Sequence, residues 1–159
     1  MGVSGVGKST IGKLLADQLS IPFFDGDDYH PEANKKKMAN GHPLNDDDRY
    51  DWLLNLNRLA NDQIANTSCV IACSALKESY RELLKKGIET NIKWVLLYGS
   101  FDQVFERIQQ RTSHFMPTSL LKSQFDTLEE PIEALKINIQ ESPQKITTYI
   151  VNELSLIHI

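Results

Sequence analysis

Gly2-Val3-Ser4-Gly5-Val6-Gly7-Lys8-Ser9 completes the pattern G-x-x-x-x-G-K-[ST], with Thr10 beside it. Its glycines let backbone N–H groups converge on phosphate oxygens, Lys8 supplies a positive charge, and Ser9 can hold Mg²⁺. The helix that follows adds the positive end of its dipole. A loop of this kind joins a strand to a helix, so it commits the chain to an α/β arrangement. The strand that should precede it is reduced here to Met1. The sheet is therefore expected to lack its first, central strand, and Met1 reads as an internal methionine of a longer natural chain.

Downstream, the apolar pattern alternates between the two periods. A helix is predicted over Lys8–Leu19, a strand over Ile21–Phe24, a helix over Pro31–Asn40 and a long helix over about Asp47–Asn66. Strand Ser68–Cys73, helix Leu76–Lys86 ended by Gly87, strand Ile92–Tyr98 and helix Phe101–Arg111 follow. The pattern lapses after Thr112, resumes as a short helix over 118–125, and ends in strand Leu135–Gln140 and helix Pro143–Leu154. Strands alternating with helices imply a parallel sheet covered on both faces. At 159 residues the chain is one domain, residues 1–154, and residues 155–159 read as a non-native or disordered tail.

A formal charge of −4 argues against a general nucleic-acid binder. Lys35, Lys36 and Lys37 form the one dense basic run and read as a solvated helix face. Cys69 and Cys73, four apart on a predicted strand, would be separated by about 13 Å and cannot bridge. With no long apolar stretch and no signal peptide, the expected setting is the cytoplasm, with neither a membrane nor a nucleic acid as partner.

The surroundings of the loop decide which phosphate chemistry it serves. Neither the N-K-x-D nor the D-x-x-G pattern of a GTPase occurs. Strand Ser68–Cys73 ends in Ser74-Ala75, without the acid a mechanical ATPase places there. The carboxylates come instead from Asp25 and Asp27, which close the short strand after the first helix and so fall at the sheet's carboxyl end beside the loop. One acid there can orient Mg²⁺ through water while the other accepts a proton from a substrate hydroxyl.

Several motifs then occur in order: Phe24-Asp25-Gly26-Asp27-Asp28-Tyr29-His30-Pro31, Lys37-Met38, Pro43-Leu44-Asn45-Asp46-Asp47-Asp48-Arg49, and Cys73-Ser74-Ala75-Leu76-Lys77 with Tyr80-Arg81. His114-Phe115-Met116, Gln124-Phe125 and Thr127-Leu128-Glu129 complete the set. Together they closely resemble the gluconokinases of the shikimate-kinase-like P-loop group, in one register over residues 1 to about 150. The resemblance implies a three-layer α/β P-loop kinase fold, with a mobile lid over about residues 111–125. It also implies ATP and Mg²⁺ as cofactors, D-gluconate as the acceptor phosphorylated at its 6-hydroxyl, and a homodimer.

Roles follow residue by residue. By resemblance to related kinases, Asp27 orients the hydroxyl and acts as general base, and Asp25 coordinates Mg²⁺ indirectly. Arg49 closes an acidic run, and its planar guanidinium suits a carboxylate. Lys77 and Arg81, four apart on a predicted helix, share one face and are expected to hold substrate or the moving phosphoryl group. His30 is read either as a hydroxyl contact or as a packing histidine. Arg107 and Arg111 precede the break where a flap should close; the resemblance has Arg107 stack on adenine and Arg111 reach the phosphates, with Phe115 and Met116 as packing. Lys8, Asp27 and Arg111 form the expected catalytic set. A kinase for another small acid or polyol such as shikimate, and an inactive nucleotide-binding module, are the alternatives.

Overall fold

A computed structural model describes residues 1–111 and 116–156. The chain runs α1 (Lys8–Leu19), β1 (Phe23–Asp25), a 3₁₀ turn (Gly26–Tyr29), α2 (Glu32–Ala39), α3 (Asp46–Ile64) and β2 (Val70–Ala72). Then come α4 (Glu78–Lys85), β3 (Val95–Tyr98), α5 (Phe101–Gln110), α6 (Thr118–Thr127), β4 (Leu135–Asn138) and α7 (Pro143–Leu156).

The local start and stop signals are met by identifiable bonds. Asn45 and Asp48 form a reciprocal capping box at the start of α3, and Ser100 with Gln103 forms another at α5. Asn57 on α3 donates to the carbonyls of Leu84 and Lys86, both at 2.9 Å, and so satisfies the end of α4 before Gly87. Helix α1 packs against α7 and against β1 and β2, while α3 packs against α4. Between them lies one core that includes Val6, Leu15, Leu56, Leu97, Val104 and Ile150. Trp52, 2% exposed, anchors α3 in that core and donates its indole N–H to the Gly26 carbonyl at 2.8 Å. Its truncation to alanine would cost about 3–5 kcal/mol.

The strands are parallel as predicted and, as expected of a sheet lacking its central strand, form two pairs, β1 with β2 and β3 with β4. Met1 and Gly2 run between the pairs. The Met1 amine donates to the Val95 carbonyl at 2.6 Å and its own carbonyl accepts from Leu97 N–H at 2.9 Å; Gly2 N–H donates to the Ser74 carbonyl at 3.2 Å. The first two residues thus hydrogen-bond to β3 on one side and to the end of β2 on the other. Each strand is also shorter than its apolar run, because only residues with a partner backbone alongside enter a ladder.

Two further expectations are corrected or bounded. Ser155 and Leu156 are not a loose tail but the last residues of α7, where Ser155 Oγ donates to the Val151 carbonyl at 2.8 Å; residues 157–159 lie outside the described residues. Of the expected lid, 112–115 also lie outside them, Phe115 included, while Thr118–Thr127 is helix α6, set against α5 by Phe125 on Phe101 at 5.5 Å. Among the described residues no helix is long and apolar enough to cross a membrane.

Candidate active site

The phosphate loop wraps the start of α1. Gly7, its N-cap, has φ of +94°, a left-handed conformation that glycine adopts freely, and a Cβ there would meet nothing within 4 Å. The loop therefore opens onto space at the N-terminus of α1, where backbone N–H groups are unpaired and an anion fits. Gly2 is needed for a different reason: a Cβ on it would lie 2.4 Å from the Leu97 carbonyl oxygen. Val3 and Val6 point into the core and fix the loop from behind, while Thr10 is exposed.

Lys8 Nζ donates to the Val3 carbonyl at 2.9 Å, folding its charge over the loop. Burial lowers the Lys8 pKa, the charges of Asp27 and Asp25 pull it back up, and Arg111 adds to the lowering. Ser9 Oγ donates to Asp25 Oδ2 at 2.5 Å, so the hydroxyl and the carboxylate read as metal-side residues are in direct contact. The other Asp25 oxygen accepts from Asp27 N–H at 3.1 Å and caps the 3₁₀ turn. That turn, which the periodicity did not reveal, carries Asp27 back toward the loop. A hydroxyl and a carboxylate, both hard oxygen donors beside an anion cradle, fit Mg²⁺ accompanied by phosphate.

Arg107 and Arg111 sit at the end of α5. The Arg107 guanidinium donates to the Ile139 carbonyl, just beyond β4. Arg111 is the exposed C-cap, near enough for its charge to act on Lys8. Met116 is half-buried against the core. Burial pushes the Cys73 thiol up to about 11, which makes it a poor nucleophile.

A pocket of about 400 Å³ is lined by Leu44, Asn45, Asp46, Arg49, Lys77 and Thr127 among others. Lys77 Nζ donates to both oxygens of Asp46, at 2.9 and 3.1 Å, and the Tyr80 hydroxyl donates to the same carboxylate. Those two bonds, Tyr80 first, hold the Asp46 carboxyl below its ordinary value. Arg49 donates to the Tyr80 hydroxyl at 3.0 Å and lies over its ring. The acidic run is thus shared out: Asp46 goes to Lys77 and Tyr80, and Asp48 to Lys37 at 2.5 Å. Arg49 is left facing the cleft. Lys35 pairs with Glu32, so two of the three basic-run lysines have partners.

Arg81 corrects the sequence reading. It is 2% exposed, and its guanidinium donates to the carbonyls of Ala75 and Leu76 and to the Glu78 carboxylate. Spacing placed it on the face of Lys77, but that part of the face turns inward and its donors are taken by the β2–α4 turn. Arg81 shapes the turn that presents Lys77; it does not line the cleft. His30 is buried as well, stacked on Trp52 with ring centroids 4.0 Å apart, and its Nε2 faces Asp27 Oδ1 at 3.9 Å.

Sequence reasoning gave no role to Tyr80, Asp46, Gln124, Glu129 or Asn34. Gln124 Oε1 accepts the Ser4 N–H at 2.7 Å, bracing the phosphate loop from α6. Glu129 accepts the Glu78 N–H at 2.7 Å and donates its own N–H to the Leu76 carbonyl at 2.8 Å, capping α4 from a distant segment. For Asp46, Tyr80, Gln124 and Glu129 the signal was present in the motifs that contain them, but their partners lie far away along the chain; Asn34 stands in none of those motifs.

Comparison with known proteins agrees with this geometry. The shikimate kinase family matches residues 4–155. The thermoresistant gluconokinase of Escherichia coli is 48% identical over 132 residues, covering 82% of this chain and 75% of its own. The Arabidopsis thaliana gluconokinase is 42% identical, covering 95% and 88%. The crystal structure of a gluconokinase from Sinorhizobium meliloti superposes with a TM-score of 0.90 at 38% identity, covering 99% of this chain and 90% of that one. Phosphate loop, displaced acids and cationic cleft therefore belong to a shikimate-kinase-like P-loop kinase, and the chain is a member of the gluconokinase family.

Proposed function

We propose that this chain transfers the γ-phosphoryl group of ATP to the 6-hydroxyl of D-gluconate, giving 6-phospho-D-gluconate and ADP. The observation that carries the reading is the continuity of the site. Ser9, Asp25, Asp27 and His30 run on from the phosphate loop, the Arg49 charge reaches the His30 ring, and Arg49 and Lys77 line a pocket with cations suited to a sugar acid. The gluconokinase relatives supply the substrate class.

In this reading the backbone of Gly2–Ser9 and the Lys8 ammonium bind and screen the phosphates. Ser9 and Asp25 would hold Mg²⁺, which supplies charge neutralisation on the phosphate oxygens when bound. Arg107 stacks on adenine and Arg111 swings onto the phosphates. Arg49 and Lys77 hold the gluconate carboxylate and hydroxyls, and His30 contributes from the side. Asp27 orients the 6-hydroxyl. The 6-hydroxyl oxygen of gluconate bonds to the γ-phosphorus as the bond from that phosphorus to the bridging oxygen breaks, ADP departs, and the hydroxyl proton passes to Asp27 and then to solvent. Positioning and charge neutralisation carry most of the rate. The working form is a cytoplasmic homodimer.

A coupled ADP-release assay over gluconate, shikimate, other sugar acids and nucleoside monophosphates tests this. Acceleration by gluconate well above the rest is expected. No acceleration by gluconate overturns the reading.

A further inference from the structure

His30 follows the 3₁₀ turn that carries Asp27, and the Arg49 charge acts on its ring. Trp52 stacks on the ring at an interplanar angle of 17°, and the side chain is 5% exposed. Behind it stands Asn34 on α2, 4% exposed, whose Nδ2 donates to the Asp48 carbonyl on α3 at 2.7 Å. A carbonyl only accepts, so this bond fixes which end of the Asn34 amide points there. The same nitrogen lies 3.4 Å from His30 Nδ1, at the long end of the hydrogen-bonding range. A ring nitrogen that faces a donor presents its lone pair, which leaves the imidazole proton on Nε2. Burial, then the charges of Arg49 and Lys35, push the imidazole down to about 4, so the ring is neutral at physiological pH.

We propose that Asn34 is a positioning residue that locks His30 in the neutral Nε2–H tautomer and so presents a fixed hydrogen-bond donor to the Asp27 carboxylate. The step to function rests on the reading of Asp27 as the group that receives the acceptor proton. At 3.9 Å the donor and Oδ1 are beyond bonding distance, but the Asp27 side chain is 81% exposed and so has room to turn toward the ring. One oxygen held by Nε2–H leaves the other directed at the hydroxyl. The opposite tautomer would set a ring lone pair against the carboxylate, which repels it. An imidazolium would compete with Lys8 for the same charge.

The test uses the full chain labelled with ¹⁵N-histidine, without any ligand, and reads long-range ¹H–¹⁵N correlations at neutral pH. His30→Gln assigns the signals. The expected spectrum shows a protonated Nε2 and an unprotonated Nδ1 for His30. In Asn34→Asp a carboxylate replaces the donor and should draw the proton to Nδ1. Turnover should fall about 10-fold or more, the worth of one bond to a charged group, with the Michaelis constant for ATP unchanged. His30→Gln, which keeps an amide donor, should retain about 10-fold more turnover than His30→Leu. A wild-type ring protonated on Nδ1 or on both nitrogens overturns the proposal, and this result needs only the assigning variant, His30→Gln, to fold. An unchanged tautomer in folded Asn34→Asp also overturns it. The spectrum is independent of the acceptor, so its failure is distinguishable from a failure of the gluconate assignment.

Discussion

The phosphate loop is one unbroken run from Gly2 to Ser9, built from backbone and one lysine, whereas the proposed acceptor cleft takes Asp46 and Arg49 from α3, Lys77 from the turn before α4, and Thr127 from α6. The Lys77–Asp46 pair alone closes 31 positions of sequence. The first region works through local conformation, which its residues specify by themselves. The second works through side chains that meet only after the chain has folded. Changes in the loop should therefore act on the chemical step, and changes in the cleft on which acceptor is held.

The sharpest way to separate the two regions is Lys8→Ala. It should cut turnover by about 10³-fold, near 4 kcal/mol of transition-state stabilisation, while the Michaelis constant for gluconate moves little in steady-state kinetics. Similar losses in gluconate affinity and in turnover would mean that the regions are not separable.

Acid should probe the join between them. The folded value of His30, about 4, lies below its ordinary 6.5, so the unfolded chain takes up this proton first as pH falls. The His30 contribution is complete above about pH 6.5 and is lost as pH drops toward 4, by about 3 kcal/mol in all. Urea unfolding across that window should show this slope in the wild type and a shallower one in His30→Gln. Equal slopes would place the titration elsewhere.

On the cleft side, Arg49→Ala should raise the gluconate Michaelis constant about 30-fold, roughly the 2 kcal/mol of a charged hydrogen bond, and leave the ATP constant alone. Unchanged gluconate affinity with weakened ATP affinity would reverse the assignment of the two regions. Gln124→Ala should give the smallest effect. Losing its bond to Ser4 N–H should lower unfolding stability by about 1 kcal/mol, read from the shift in the denaturation midpoint.

What the sequence disclosed follows the same division. Helix α1 was legible to the residue, Lys8–Leu19, because the loop glycines and apolar stripe that define it are local. The position of Asp25 and Asp27 was legible because a strand end beside a phosphate loop has a known place in a doubly wound sheet. The 3₁₀ turn after β1 was not, since it depends on the Asp25 carboxylate and on Trp52 reaching the Gly26 carbonyl. Arg81 was misread because spacing of four gives a shared face but says nothing about what covers it. The parallel strands were legible as well, and they stand as two pairs with Met1 and Gly2 between them, in line with a sheet expected to lack its central strand.

Helix α6 and its exit carry a consequence for anyone wishing to retune the acceptor. Gln124 grips the phosphate loop and Glu129 grips the start of α4, so a single strut keeps the two halves at a fixed spacing. Thr127 stands between those two grips, its hydroxyl bonded to the Ser123 carbonyl at 2.7 Å and its side chain on the cleft wall. A library that varied α6 wholesale would disturb donor and acceptor together. One that varied Thr127 with the first turn of α3 would reshape the pocket while leaving the gap between the reacting groups intact.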